Sequence, residues 1–210
     1  MRSSRRRVRR VEAMASSRPR RGYTAIELMM SMGVLAIGVT GIIAMQNVSA
    51  NTNRHAKNLA VASHIAEAWL DQLAVDASQW NDTNDFGQTA WLNLVNANNG
   101  QWVRPDYVAA RNFGPAFDAL GNPVATANFA SDAHFCTDLQ LTWLFDESRG
   151  SGLVRANVRV FWSRSGVAAL SKDAPTHACE WTPAEVDSAD GQRFFRSVYL
   201  STALRQEVIQ

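Results

Sequence analysis

The chain has 210 residues, a formal net charge of +2, 46% hydrophobic and 19% charged residues, and two cysteines. That size accommodates one domain with an appendage, and the balance excludes both a disordered chain and a polytopic membrane protein. Two thiols exclude a cysteine-rich scaffold and any four-cysteine zinc module.

The small net charge is a cancellation. Residues 1–22 hold nine arginines against Glu12, a balance of +8, while residues 23–210 carry −6. A basic head suits a nucleic-acid arm or a targeting segment, and the residues next to it decide between them. Leu28–Met45 reads LMMSMGVLAIGVTGIIAM, with no ionisable side chain between Glu27 and Arg54. Eighteen helical residues rise about 27 Å, close to the hydrocarbon thickness of a bilayer. A single span over 23–46 is therefore predicted. The arginines before it outnumber Arg54 and Lys57 after it. They hold the N-terminus in the cytoplasm and send the rest outward, which makes them a topology signal and not a nucleic-acid arm. A competing route is an ordinary signal-peptidase cut after Val48-Ser49-Ala50. The length of the run and Glu27 at its start weigh against that cut.

Glu27, flanked by Ile26 and Leu28, stands at the mouth of the run, where a carboxylate is costly unless paired or held at the headgroup level. Its neighbourhood, Arg20-Arg21-Gly22-Tyr23-Thr24-Ala25-Ile26-Glu27-Leu28, resembles the type IV prepilin signal. The resemblance implies cleavage between Gly22 and Tyr23 by an aspartic prepilin peptidase, and N-methylation of the new Tyr23 amine. Tyrosine departs mildly from the phenylalanine usual there. An α-amine with an ordinary pKa of about 7.7–8.0 is largely cationic near neutrality. On a helix, Tyr23 and Glu27 share a face, so the amine and carboxylate of one chain, or of two neighbouring chains, can pair. A second candidate start, Met14, gives the leader MASSRPRRG, a length common in that family.

Gly33, Ala36, Thr40 and Ala44 form a small-residue stripe along the span, of the kind that lets membrane helices approach closely. No proline lies between Pro19 and Pro105, unlike the many major pilins that have one partway along this helix. Ala56, Leu59, Ala62, Ala66, Trp69, Leu70 and Leu73 then recur at three- and four-residue intervals. One helix is predicted from Tyr23 to about Val75, about 80 Å long. Its continuation over 47–76 is amphipathic. His64, Glu67 and Asp71 share one of its faces and read as solvated, since no further metal ligand is close.

Residues 77–210 are predicted to form the outward-facing head. Ala77–Ala133, rich in Asn, Asp, Gly and Trp, is expected to be irregular, with a short helix around Thr89–Asn96. Asp82–Gly87 starts like a calcium loop but has Phe86 at the fifth position and Asn93 where a bidentate glutamate belongs. Alternation predicts strands at Phe135–Phe145, Leu153–Trp162 and Phe195–Leu204, the first two joined as a hairpin by Asp146–Gly152. A sheet with one face on the long helix is the economical packing. Thr182-Pro183-Ala184-Glu185 has a capping-box pattern.

Cys136 and Cys179 lie in the outward part, where an oxidising compartment favours a disulfide. Closing that loop stabilises the head by ~4 kcal/mol in the chain-entropy model. The flanks His134-Phe135-Cys136 and His177-Ala178-Cys179 offer a lesser alternative, a tetrahedral zinc site at an uncommon spacing. There is no phosphate loop, no G-x-S-x-G, no H-E-x-x-H and no cofactor motif.

The expected fold is therefore α+β: a long N-terminal helix, membrane-spanning in its first half, on a small antiparallel sheet. The segments are a leader (1–22), a prepilin-type membrane segment (23–46), a helical continuation (47–76) and a head (77–210). Leu35–Gln46 is similar to the matching stretch of the type IV pilus modification (PilV) minor pilins. This implies a low-abundance, non-enzymatic subunit that helps initiate or cap the fibre, held in the inner membrane and then at the pilus surface. Its implied partners are the prepilin peptidase, other minor and major pilins, and the inner-membrane assembly platform. The alternatives are a minor pseudopilin of type II secretion and, from a different class, a signal-anchored periplasmic enzyme or binding protein.

Overall fold

The computed structural model describes residues 22–80, 89–145, 152–164 and 178–206. The chain divides into two compact units between Ala50 and Asn51, and helix α1, Ala25–Ser78, contributes to both. In the first unit α1 is apolar and bare. The helix is long and apolar enough to cross a membrane, and none of its apolar window is buried. It is compatible with a single-pass membrane anchor.

The second unit is α+β. Strands β1 (Trp102–Val103), β2 (Ala116–Phe117), β3 (Phe135–Phe145), β4 (Leu153–Ser163) and β5 (Phe195–Arg205) form one sheet. Its order is β1-β3-β4-β5, with β2 also pairing β3, and every pairing is antiparallel. The three long strands begin where alternation predicts. β1 and β2 interrupt the segment expected to be irregular; two residues each are too short to show a period. Asp82–Gly87 and most of the β3–β4 loop lie outside the described residues.

From Asn51 onward α1 packs on the sheet. Ala62, Ile65, Ala66, Trp69 and Leu73 are buried against Leu139, Leu141, Val154, Ala156, Val158 and Val160. Apart from Ile65, which the stripe read from sequence left out, these are the α1 and strand positions that the two periodicities select. Leu59, counted with the buried stripe from sequence, is 44% exposed, so the packed face starts a turn later. Trp69 is the centre, edge-on to Trp91 at 5.1 Å and to Phe113 at 4.8 Å. Such aromatic pairs add directional attraction to the area they bury. At the other end, Trp80 lies so close to Gly152 that a Cβ there would collide with the indole. Only glycine admits that approach.

The opposite face of the sheet is covered at one end. The turn Ala178–Glu180 and helices α4 (Pro183–Asp187) and α5 (Ala189–Phe194), which follow α2 (Leu94–Asn98) and α3 (Phe129–Asp132) along the chain, lie over Cys136 and Phe161. The expected capping box starts α4: Thr182 accepts from the Glu185 amide, and Glu185 accepts from the Thr182 amide at 2.7 Å. The Thr182 amide and hydroxyl hold the Glu185 carboxyl below its ordinary range. Because the folded-state value is lowered, the contribution is present above the ordinary glutamate pKa and is lost as pH falls through the folded value. Glu185→Gln should therefore flatten the acid limb of the melting temperature measured from about pH 5 to about pH 3. An unchanged limb would show that the box contributes nothing.

The short helix predicted near Thr89–Asn96 is displaced to α2, Leu94–Asn98. The amides of Ala90, Trp91 and Leu92 donate instead to the carboxylate of Asp76, at 2.8, 2.8 and 3.0 Å. A side chain at the end of α1 thus takes the donors that would have opened an earlier helical turn.

Candidate functional site

The N-terminal residues singled out from sequence stand at the entry to α1. Gly22 and Tyr23 are non-helical and exposed, Tyr23 at 86%. Glu27 forms a capping box with Thr24. Its Oε2 accepts from the Thr24 amide and hydroxyl, both at 3.2 Å, and its own amide donates to Thr24 Oγ1 at 3.4 Å. The carboxylate also lies in the first turn, where the helix dipole favours negative charge. The pairing expected from sequence is with the Tyr23 amine that cleavage would create, in the same or a neighbouring chain; the uncut chain has no such amine, and in it Glu27 faces Thr24. The T-x-x-E signal was present at Thr24–Glu27, identical in form to the one read at Thr182–Glu185. Oε1 makes no hydrogen bond among the described residues.

Beyond the box, Met29, Val34, Leu35, Ile37 and Met45 are each more than half exposed. A Cβ added at Gly33, Gly38 or Gly41 meets nothing within 4 Å. Packing within this chain therefore demands none of these glycines.

In the head, Cys136 and Cys179 are joined by a disulfide with Cα atoms 5.2 Å apart. Joined sulfurs supply no thiolate, so in this state the zinc alternative loses two of its four ligands. Of the two histidines, His177 lies outside the described residues. His134 packs edge-on to Phe135 at 4.8 Å. Burial, aided by Lys57 and opposed by Asp118, holds its pKa below the ordinary value. His64 and Glu67 form an exposed pair at 3.5 Å, the solvated face expected of them.

Sequence reasoning missed two buried charge clusters. Asp76, fully buried, adds Arg111 at 2.9 Å to its three backbone donors. Across the sheet, Asp138 and Arg159 are paired residues of β3 and β4, both fully buried and 2.7 Å apart. Arg159 also reaches Asp187 and the Pro183 carbonyl, and its guanidinium lies 4.5 Å from the Trp102 ring centroid. Burial opposes its charge, but Asp138 and Asp187 outweigh that and raise its pKa. The second Asp138 oxygen takes Arg104 Nε at 3.1 Å, and Arg104 also donates to the Cys179 carbonyl at 2.7 Å. Both Asp138 oxygens are thus engaged by guanidinium groups, an arrangement that fastens β1, β3, β4, α4 and the disulfide turn together.

No protein-family model matches the chain, and no curated protein and no solved structure matches it either.

Proposed function

We propose that the chain is a minor type IV pilin, made with a basic leader that prepilin peptidase removes after Gly22 and methylated at the new Tyr23 amine. It is held in the inner membrane by Leu28–Met45 with its head in the periplasm. It then passes into a pilus through the assembly platform, where it sits among or primes other pilins. One observation carries the reading: leader, glycine, aromatic, glutamate and bare apolar helix occur in that order, and the helix continues into a unit whose sheet it packs on. The unfilled space at Gly33, Gly38 and Gly41, and Glu27 Oε1, which has no partner among the described residues, are what a neighbouring helix and its terminal amine would use.

Mass spectrometry of the mature N-terminus tests processing. N-methyl-Tyr23 is the expected end; a chain beginning at Asn51 would sink the reading. Gly22→Lys should remain uncut. Glu27→Ala should be cut, yet its level in sheared fibres should fall about tenfold, the factor for 1.4 kcal/mol of lost pairing. Thr24→Ala removes the cap but keeps the carboxylate, and should enter fibres far better than Glu27→Ala. Equal defects would assign Glu27 to capping alone. A pseudopilin of type II secretion shares the same helix, and recovery with a secretion complex instead of a pilus would identify it.

A further inference from the structure

A groove of about 540 Å³ opens on the second unit between α1 and the start of β5. Its polar lining is His55, Arg164, Gln192, Arg196 and Ser197, and its apolar lining includes Leu59, Trp162 and Tyr199. Among the described residues, no carboxylate lines it. Arg104, Arg111, Arg159 and Arg193 each face an aspartate; among the described residues Arg164 and Arg196 face none, as is also true of Arg54, Arg155 and Arg205, but these two share one groove. Arg196 instead donates from Nη1 to the ring of His55, 2.6 Å from Nε2, and its Nη2 has no partner among the described residues. Arg164 is held in place by its own backbone and Nε. Its amide donates to the Phe194 carbonyl at 2.8 Å, and Nε donates to the Phe195 carbonyl at 3.0 Å. Among the described residues its two terminal nitrogens have no partner, so they can reach a ligand.

Within residues 23–210, which carry −6 overall, these uncompensated donors form a local reversal of sign. Guanidinium groups engage phosphate oxygens through paired, charge-assisted hydrogen bonds, and a solvated groove of one sign attracts the opposite ion. The volume exceeds what a bare phosphate fills. Leu59 and Tyr199, 44% and 58% exposed, add apolar surface beside the cations.

We propose that this groove binds a phosphate mono- or diester that carries an organic substituent. Arg164 and Arg196 take the phosphate oxygens, Gln192 adds a donor, His55 steadies Arg196, and Leu59 and Tyr199 contact the substituent. The site makes no use of the N-terminal signal and does not depend on the pilin reading.

The test uses the full chain in non-ionic detergent, probed separately with inorganic phosphate, glycerol 3-phosphate, phosphatidylglycerol and phosphatidylcholine. Equilibrium dialysis reads the soluble probes, and native mass spectrometry reads retained lipid. One organic phosphate should bind per chain, more tightly than inorganic phosphate. Arg196→Gln should weaken it about tenfold, the cost of a lost charge-assisted hydrogen bond. Arg205→Gln, on the exposed far end of β5, should leave it unchanged. Retention of phosphatidylglycerol without glycerol 3-phosphate identifies a lipid headgroup as the source; the converse identifies a soluble ester. Arg196 is exposed and holds no backbone, so its loss should leave the melting temperature unaltered. Binding of none of the probes, or equal weakening by Arg196→Gln and Arg205→Gln, overturns the site.

Discussion

Asp76→Ala is expected to destabilise the second unit by about 3–5 kcal/mol, read as a shift in urea midpoint by tryptophan fluorescence. Asp76 is fully buried and accepts from three backbone amides, and those of Trp91 and Leu92 belong to fully or almost fully buried residues. A buried donor left without an acceptor loses its hydration and regains nothing, at about 1–3 kcal/mol each. The displaced segment carries Trp91, which packs on Trp69, so the loss reaches the centre of the core. Arg111→Met separates the ion pair from the amide contacts. Arg111 lies over the Trp91 ring and also donates to Gln79, and Asp76 keeps its three amide donors without it, so its removal should cost about 1.5–3 kcal/mol. A loss for Asp76→Ala no greater than that for Arg111→Met would refute the claim that the carboxylate acts chiefly on backbone.

The second large effect is at Arg159. Arg159→Met should destabilise by about 3–5 kcal/mol because it leaves Asp138 buried with Arg104 as its remaining charged partner. Adding Asp138→Leu should recover part of that loss, since an apolar pair leaves no orphaned charge on the sheet. The double variant should therefore be more stable than the sum of the two single losses predicts. Strict additivity would mean that the two residues are not energetically coupled.

These two clusters also show what was legible in the sequence. β3, β4 and β5 start at Phe135, Leu153 and Phe195 as alternation predicts, because a buried strand face repeats every second residue whatever its partners are. α1 was readable across its length from an uncharged run and the helical stripe beyond it. Arg159 belongs by pattern to a polar face because Arg155 and Asn157 alternate with it; its burial depends on Asp138 and Asp187, which lie elsewhere in the chain. Asp76 is invisible for the same reason, and it carried α2 with it: Thr89–Asn96 looks helical until a remote carboxylate claims its amides. β1 and β2 exist only because β3 offers them an edge.

At the entry to α1 the pattern is wholly local. Glu27 invited a question about hydrocarbon, and a local partner one turn away answered part of it. Thr24-Ala25-Ile26-Glu27 is four residues long and needs nothing distant to be recognised.

The box also has a geometric meaning for processing. All of its atoms belong to Thr24 and Glu27, downstream of Gly22, so loss of the leader takes away none of its hydrogen bonds. It starts the helix at Ala25 and leaves Gly22 and Tyr23 outside. A peptidase needs an accessible, unwound bond, and a helix that crept two residues toward the N-terminus would enclose the Gly22–Tyr23 peptide. On the proposed reading, the box works as a stop that keeps the scissile bond unwound before the cut and gives the shortened chain the same helical start after it.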